Sequence, residues 1–215
     1  RAAMTEVNSA LGHHFTDLAQ QREANTLGMW AFLATEVLFF GGLFTAYLVY
    51  RSAYPEVFAA GSEHLKMALG AINTGVLLTS SLTVALAVHA ATQRARNRLL
   101  LFMALTVALG LLFLGIKGFE YYQEYQENLV PTINFTWEGN NAPQAMLFFV
   151  LYFFMTLLHA LHMIIGISVL LVMIFWAWRG WYEEDDMPVE RFGLYWHFVD
   201  IVWVFLFPLL YLIGR

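Results

Sequence analysis

Between positions 145 and 178 the chain runs for 34 residues without one Asp, Glu, Lys or Arg. An apolar, nearly uncharged stretch longer than about 18 residues reads as a membrane span. At 1.5 Å per residue this one would reach about 51 Å as a helix, against a hydrocarbon core of about 30 Å, so it tilts or protrudes. Four more stretches follow the same rule. Residues 27–50 are broken only by Glu36, and 67–91 carry only His89 as an ionisable group. The stretch 99–116 has no charge, and 192–213 holds only His197 and Asp200. Allowing for helix ends, the expected spans are about 27–50, 67–91, 97–119, 143–178 and 192–213. The fold class expected is therefore an all-α integral membrane protein, a single five-helix domain over 27–215 preceded by a polar extramembrane segment, 1–26.

Composition supports this and removes other classes. Of the residues, 60% are hydrophobic and 13% charged, about half the charged share of a soluble domain. With no cysteine, disulfides, thiolate metal sites and cysteine catalysis are excluded. A net charge of −5 with no basic cluster beyond Arg94, Arg96 and Arg98 argues against nucleic acid as a partner. Five spans put the termini on opposite sides. With the N-terminus inside, the inner segments hold Arg1, Arg22, Arg94, Arg96, Arg98, Arg179 and Arg191, against Arg51, Lys66, Lys117 and Arg215 outside. Seven to four favours N-terminus in and C-terminus out. No internal repeat is visible, which weakens a transporter built on inverted halves.

The segments between the spans read as loops: 51–66 with Pro55 and Gly61, 117–144 with Pro131 and Pro143, and the acidic run Glu183 to Asp186. In the second span the pairs Gly70/Thr74 and Ala71/Gly75 suit close helix packing. Pro208 should kink the last span by removing a backbone donor. Tyr121 and Tyr122 read as interfacial anchors, and Glu124, Glu127 and Glu138 as a solvated acidic loop able to attract a cationic protein.

Ionisable groups inside the spans are costly, and they turn toward protein partners. His197 and Asp200 are three positions apart, on one helix face. Glu36 has Phe32, Leu33, Phe39, Phe40 and Leu43 as helical neighbours, so no cation on its own helix pairs with it; it reads either as a carboxyl donating one interhelical hydrogen bond or as a proton-related group. His159 and His162 also share a face, but two histidines on one face cannot approach a haem iron from both sides, and a zinc or copper site wants further ligands. They read instead as partners for Glu36 or Asp200, or as contacts to lipid headgroups or a neighbouring subunit. Counted from the inner ends of their helices, Glu36, Ser81, His162 and Asp200 all fall about 12–15 Å deep, which suggests one polar layer near mid-membrane. His13 and His14 precede an inward-starting span and are candidates for proton collection at the inner surface.

The run YWHFVDIVWVFLF, 195–207, closely resembles the last membrane helix of subunit III of the haem-copper terminal oxidases. GMWAFLATEVLFFGGLFTAY at 28–47, INTGVLLTSS at 72–81, EYYQ at 120–123 and LHALHMIIG at 158–166 resemble the same family, in order. The resemblance implies the short five-helix bacterial form, which lacks the first two of the family's seven spans. The family-matched polar positions are Glu36, Asn73, Glu120, His159, His162, His197 and Asp200. It also implies an accessory subunit with no catalytic or metal site of its own, one that stabilises subunit I, binds phospholipid and supports proton uptake. Haem and copper would lie in partner subunit I and copper in subunit II, with cytochrome c or another electron donor as a further contact. The implied setting is the bacterial inner, or plasma, membrane. Three alternatives stand beside this reading: the related accessory protein of nitric oxide reductase, a free-standing proton or ion transporter, and a membrane cytochrome with its own haem.

Overall fold

The computed structural model describes residues 17–137, 141–180 and 187–213. Among them there are six helices and no strand: α1 (Leu18–Ala53), α2 (Pro55–His64), α3 (Met67–Thr92), α4 (Arg96–Gln126), α5 (Ala142–Trp178) and α6 (Met187–Tyr211). All but α2 are long and apolar enough to cross a membrane. The chain divides into two compact units, residues 1–41 and 42–215.

In the first unit, α1 begins earlier than the expected span. Asp17 caps it, its Oδ1 accepting a hydrogen bond from the Gln20 amide at 2.7 Å, the usual way a helix start satisfies a free N–H.

The second unit contains two departures from the sequence reading. The stretch read as a loop, 51–66, holds α2. Pro55 stands at its first turn, where the fixed φ and missing N–H cost nothing, and Val57, Phe58, Gly61 and Ser62 form its buried face. The third span also does not stop near 119. It continues as regular helix to Gln126 and ends where Asn128 adopts φ 56°, with Leu129 N–H bonded to Glu124 O and Asn128 N–H to Tyr125 O. That double bond pattern closes a helix with a left-handed residue. The same device stops α3, with Arg94 at φ 53° and Ala95 N–H on Ala90 O.

Helices α3, α4, α5 and α6 form a ring in which each packs on the next, and α2 lies against α5 and α6. The ring closes on Trp196, which is fully buried. Its Nε1 donates to Ser80 Oγ at 3.0 Å, and its ring lies 3.2 Å from where a Cβ on Gly110 would stand and 3.0 Å from one on Gly166. Glycine at these two places lets α4 and α5 close on the indole. Of the two small-residue pairs in α3, Gly70/Thr74 faces α6: a Cβ on Gly70 would meet Phe207 at 2.8 Å, and Thr74 Oγ1 accepts from Trp203 Nε1 at 3.1 Å. Ala71 and Gly75 instead face outward. Pro208 sits inside α6, near its end.

Of the described glycines, Gly61 has the closest neighbour, between α2 and α5. A Cβ on Gly61 would stand 2.5 Å from Phe148 Cδ1, and Phe148 is locked by edge contacts with Phe58 at 5.4 Å and Phe149 at 5.2 Å. Gly61→Ala is therefore expected to lower stability by about 1–3 kcal/mol. A melting midpoint of the purified protein equal to that of the unsubstituted one would show that α2 can lift away.

Candidate functional site

Among the described residues of the second unit, two clusters hold the buried ionisable side chains that are bonded to other helices or set beside them. The larger is built on α4. Because the helix continues past Ile116, Lys117, Glu120 and Glu124 fall at i, i+3 and i+7 on its inner face, and they are 2%, 0% and 3% exposed. Lys117 Nζ donates to Glu120 Oε2 at 2.8 Å, to Tyr211 OH at 2.9 Å and to Tyr152 OH at 3.1 Å. These three bonds use all three ammonium protons. The two phenols pass theirs on: Tyr211 OH donates to Glu120 Oε1 at 2.7 Å and Tyr152 OH to Glu124 Oε1 at 2.6 Å. Four aromatic rings surround the ammonium within 5.7 Å, those of Tyr121, Tyr152, Trp203 and Tyr211, so its charge is held by π faces as well as by oxygen.

This overturns three expectations. Lys117 is not a loop cation, and Glu124 does not belong to a solvated acidic face; both point into the bundle because α4 carries them there. Tyr121 is not an interfacial anchor but donates to Thr156 Oγ1 at 2.7 Å. Tyr122, at 60% exposed, does face outward. Glu127 stays at the surface and pairs with Lys66 at 2.7 Å, and Glu138 lies outside the described residues. The sequence signal for the cluster was present in the spacing of Lys117, Glu120 and Glu124, but their polarity made them look like the start of a loop.

The second cluster joins α3 and α6. Ser81 Oγ and His197 Nδ1 are 2.7 Å apart. Asp200, 4% exposed, interacts with Ser81, although neither carboxyl oxygen meets full hydrogen-bonding geometry with the described residues. The group from another helix that stands beside Asp200 is thus the Ser81 hydroxyl, and His159 is not bonded to it among the described residues. His159 is buried, its two ring nitrogens make no hydrogen bond to the described residues, and it packs on Phe113 at 5.4 Å and Trp203 at 5.3 Å. His162 Nδ1 lies 2.9 Å from the Leu158 carbonyl. Asn73 is fully buried, and its amide makes no hydrogen bond to the described residues. Glu36 lies on α1 in the first unit, and His13 and His14 are outside the described residues. Among the described residues, no three of His, Cys, Asp and Glu come together as a metal-holding group.

Five membrane-length helices among the described residues define a multi-pass integral membrane protein. Its family follows from comparison with known proteins. The model of the family described as "Cytochrome c oxidase subunit III" matches residues 3–215, and the chain belongs to that family, the subunit III family of the haem-copper oxidases. Curated relatives agree. A "Probable quinol oxidase subunit 3" of Staphylococcus epidermidis is 32% identical over 193 residues, covering 89% of this chain and 90% of the relative. Proteins of the same name from Staphylococcus haemolyticus and Staphylococcus aureus are each 30% identical with the same coverage.

Proposed function

We propose that this chain is the accessory subunit III of a haem-copper terminal oxidase that reduces oxygen to water in aerobic respiration. The observation that carries this reading is the family match along nearly the whole chain, supported by relatives that it covers almost end to end. In this role the chain has no redox centre; it braces subunit I, holds phospholipid and supports proton uptake, while haem and copper lie in subunits I and II. The relatives' names favour quinol as the electron donor, and the family's name favours cytochrome c. The membrane is the bacterial plasma membrane, with the N-terminus inside. Taking Lys117 out of the loops leaves seven inner arginines against three outer basic residues, since 4 − 1 = 3, which strengthens the orientation. Glu36 serves as an intramembrane hydrogen-bonding or proton-related carboxyl, and His13 and His14 collect protons on the inner face.

Purification in mild detergent through a tag on this chain is expected to bring down a haem-copper subunit I and a Soret band that stays with the partner once the subunits are separated. Oxygen consumption driven by quinol but not by reduced cytochrome c would assign the donor. A nitric oxide reductase spectrum, or a Soret band on this chain alone, would refute the assignment.

A further inference from the structure

The cluster on α4 does not balance in charge. Two carboxyls, Glu120 and Glu124, face one ammonium, that of Lys117, and all three residues are at most 3% exposed. With both carboxyls ionised, the interior of the bundle would hold one uncompensated negative charge, which a poorly solvating surrounding strongly disfavours.

Hydrogen bonds tell the two carboxyls apart. Both oxygens of Glu120 accept, Oε2 from Lys117 at 2.8 Å and Oε1 from Tyr211 at 2.7 Å, the pattern of a carboxylate, which only accepts. Glu124 accepts at Oε1 alone, from Tyr152 at 2.6 Å. Its Oε2 is buried and makes no hydrogen bond to the described residues. Lys117 commits its three protons to Glu120, Tyr152 and Tyr211, and none of them goes to Glu124. The other titratable groups facing Glu124 are Tyr121 on its own helix, Tyr211 on α6 and Glu127 just past the helix end. Glu127 adds negative charge rather than relieving it, and is itself paired with Lys66 at the start of α3.

We propose that this cluster is a proton-binding site: Glu124 carries one exchangeable proton on Oε2, so that the buried group consists of one ammonium, one carboxylate and one neutral acid. Its place on α4 allows the proton to exchange. Glu124 stands two residues before the end of the helix at Gln126, and Tyr125, Gln126 and Glu127 next to it are exposed. When the proton passes from Oε2 to water, the electron pair of the O–H bond stays on the carboxylate, and Lys117 then faces two negative groups instead of one. The site rests on the packing of α4, α5 and α6 and not on the oxidase reading.

Infrared spectroscopy of the tagged protein, purified in mild detergent with its partners, tests this. The carbonyl stretch of an undissociated carboxylic acid lies above the amide band and moves down in heavy water. One such band is expected in the unsubstituted protein, lost in Glu124→Gln and kept in Glu127→Gln, which alters only the exposed neighbour. Should Glu124→Gln fail to assemble, Glu124→Asp, which keeps the acid, is expected to shift the band instead of removing it. The absence of any band that responds to substitution at Glu124 would mean that this carboxyl is ionised and overturns the proposal. A band lost in Glu120→Gln but kept in Glu124→Gln moves the proton to the other carboxyl and overturns it too. A band assigned to Glu124 that stays in place in heavy water denies the exchange, and with it the site.

Discussion

Replacing Lys117 with methionine is expected to cost about 3–5 kcal/mol, the range found when one partner of a buried ion pair is removed, and with it most of the folded yield. The ammonium is 2% exposed and is the only cation bonded to this cluster among the described residues. Without it, Glu120 keeps only the Oε1 bond from Tyr211 and its Oε2 loses the Lys117 donor, inside a medium that solvates charge poorly, and Tyr152 and Tyr211 each lose the donor that aligned them. Three helices would feel the loss, because the cluster ties α4 to Tyr152 of α5 and Tyr211 of α6. The double variant Lys117→Met, Glu120→Gln removes both charges at nearly constant volume and should recover much of the deficit, since an uncharged replacement of a buried pair is often close to neutral. Melting midpoints of the four proteins of this cycle decide the matter. Equal losses in the single and double variants would mean that the pair contributes nothing as a pair.

Trp196→Ala should be as damaging for a different reason. The indole is fully buried at the junction of α3, α4, α5 and α6, against Ser80, Gly110 and Gly166. Glycines on two walls have no side chain of their own to fill the space, although Phe192, 5.7 Å away, borders it. A cavity that collapses only in part puts the expected loss in the range for a buried tryptophan, about 3–5 kcal/mol. Trp196→Phe keeps most of the volume but strands the Ser80 hydroxyl, so a smaller loss is expected, about 1–3 kcal/mol. If the alanine variant melted like the phenylalanine one, the ring would be repacking around the gap, and Trp196 would not be the keystone assigned to it.

Membrane class and the number of long helices were legible in the sequence because the cost of exposing polar groups to hydrocarbon is paid segment by segment. The uncharged run 145–178 can only be a span, whatever its neighbours. The stop of α5 at Arg179 and Gly180, where Gly180 has φ 85°, is equally local, since the residue that ends the helix carries its own conformational preference. The resemblance carried by 195–207 is local in the same sense, and it agrees with the family match over 3–215.

Local reasoning failed where polarity and helix formation point in opposite directions. Lys117, Glu120 and Glu124 look like the beginning of a loop because the ion pair of Lys117 with Glu120, three positions on, does not by itself satisfy these groups. Their other partners are 35 and 94 positions away for Lys117 and 28 and 91 for the two glutamates. The same holds for Ser81 and His197, 116 positions apart, and for the choice between Gly70 and Gly75 as the packing face of α3. Composition and periodicity determine that this chain lies in a membrane as five long helices. Only the packing of those helices decided which polar groups are interior, because a buried charge or hydroxyl is stable only where a second helix, distant in sequence, delivers the complementary atom to within about 3 Å.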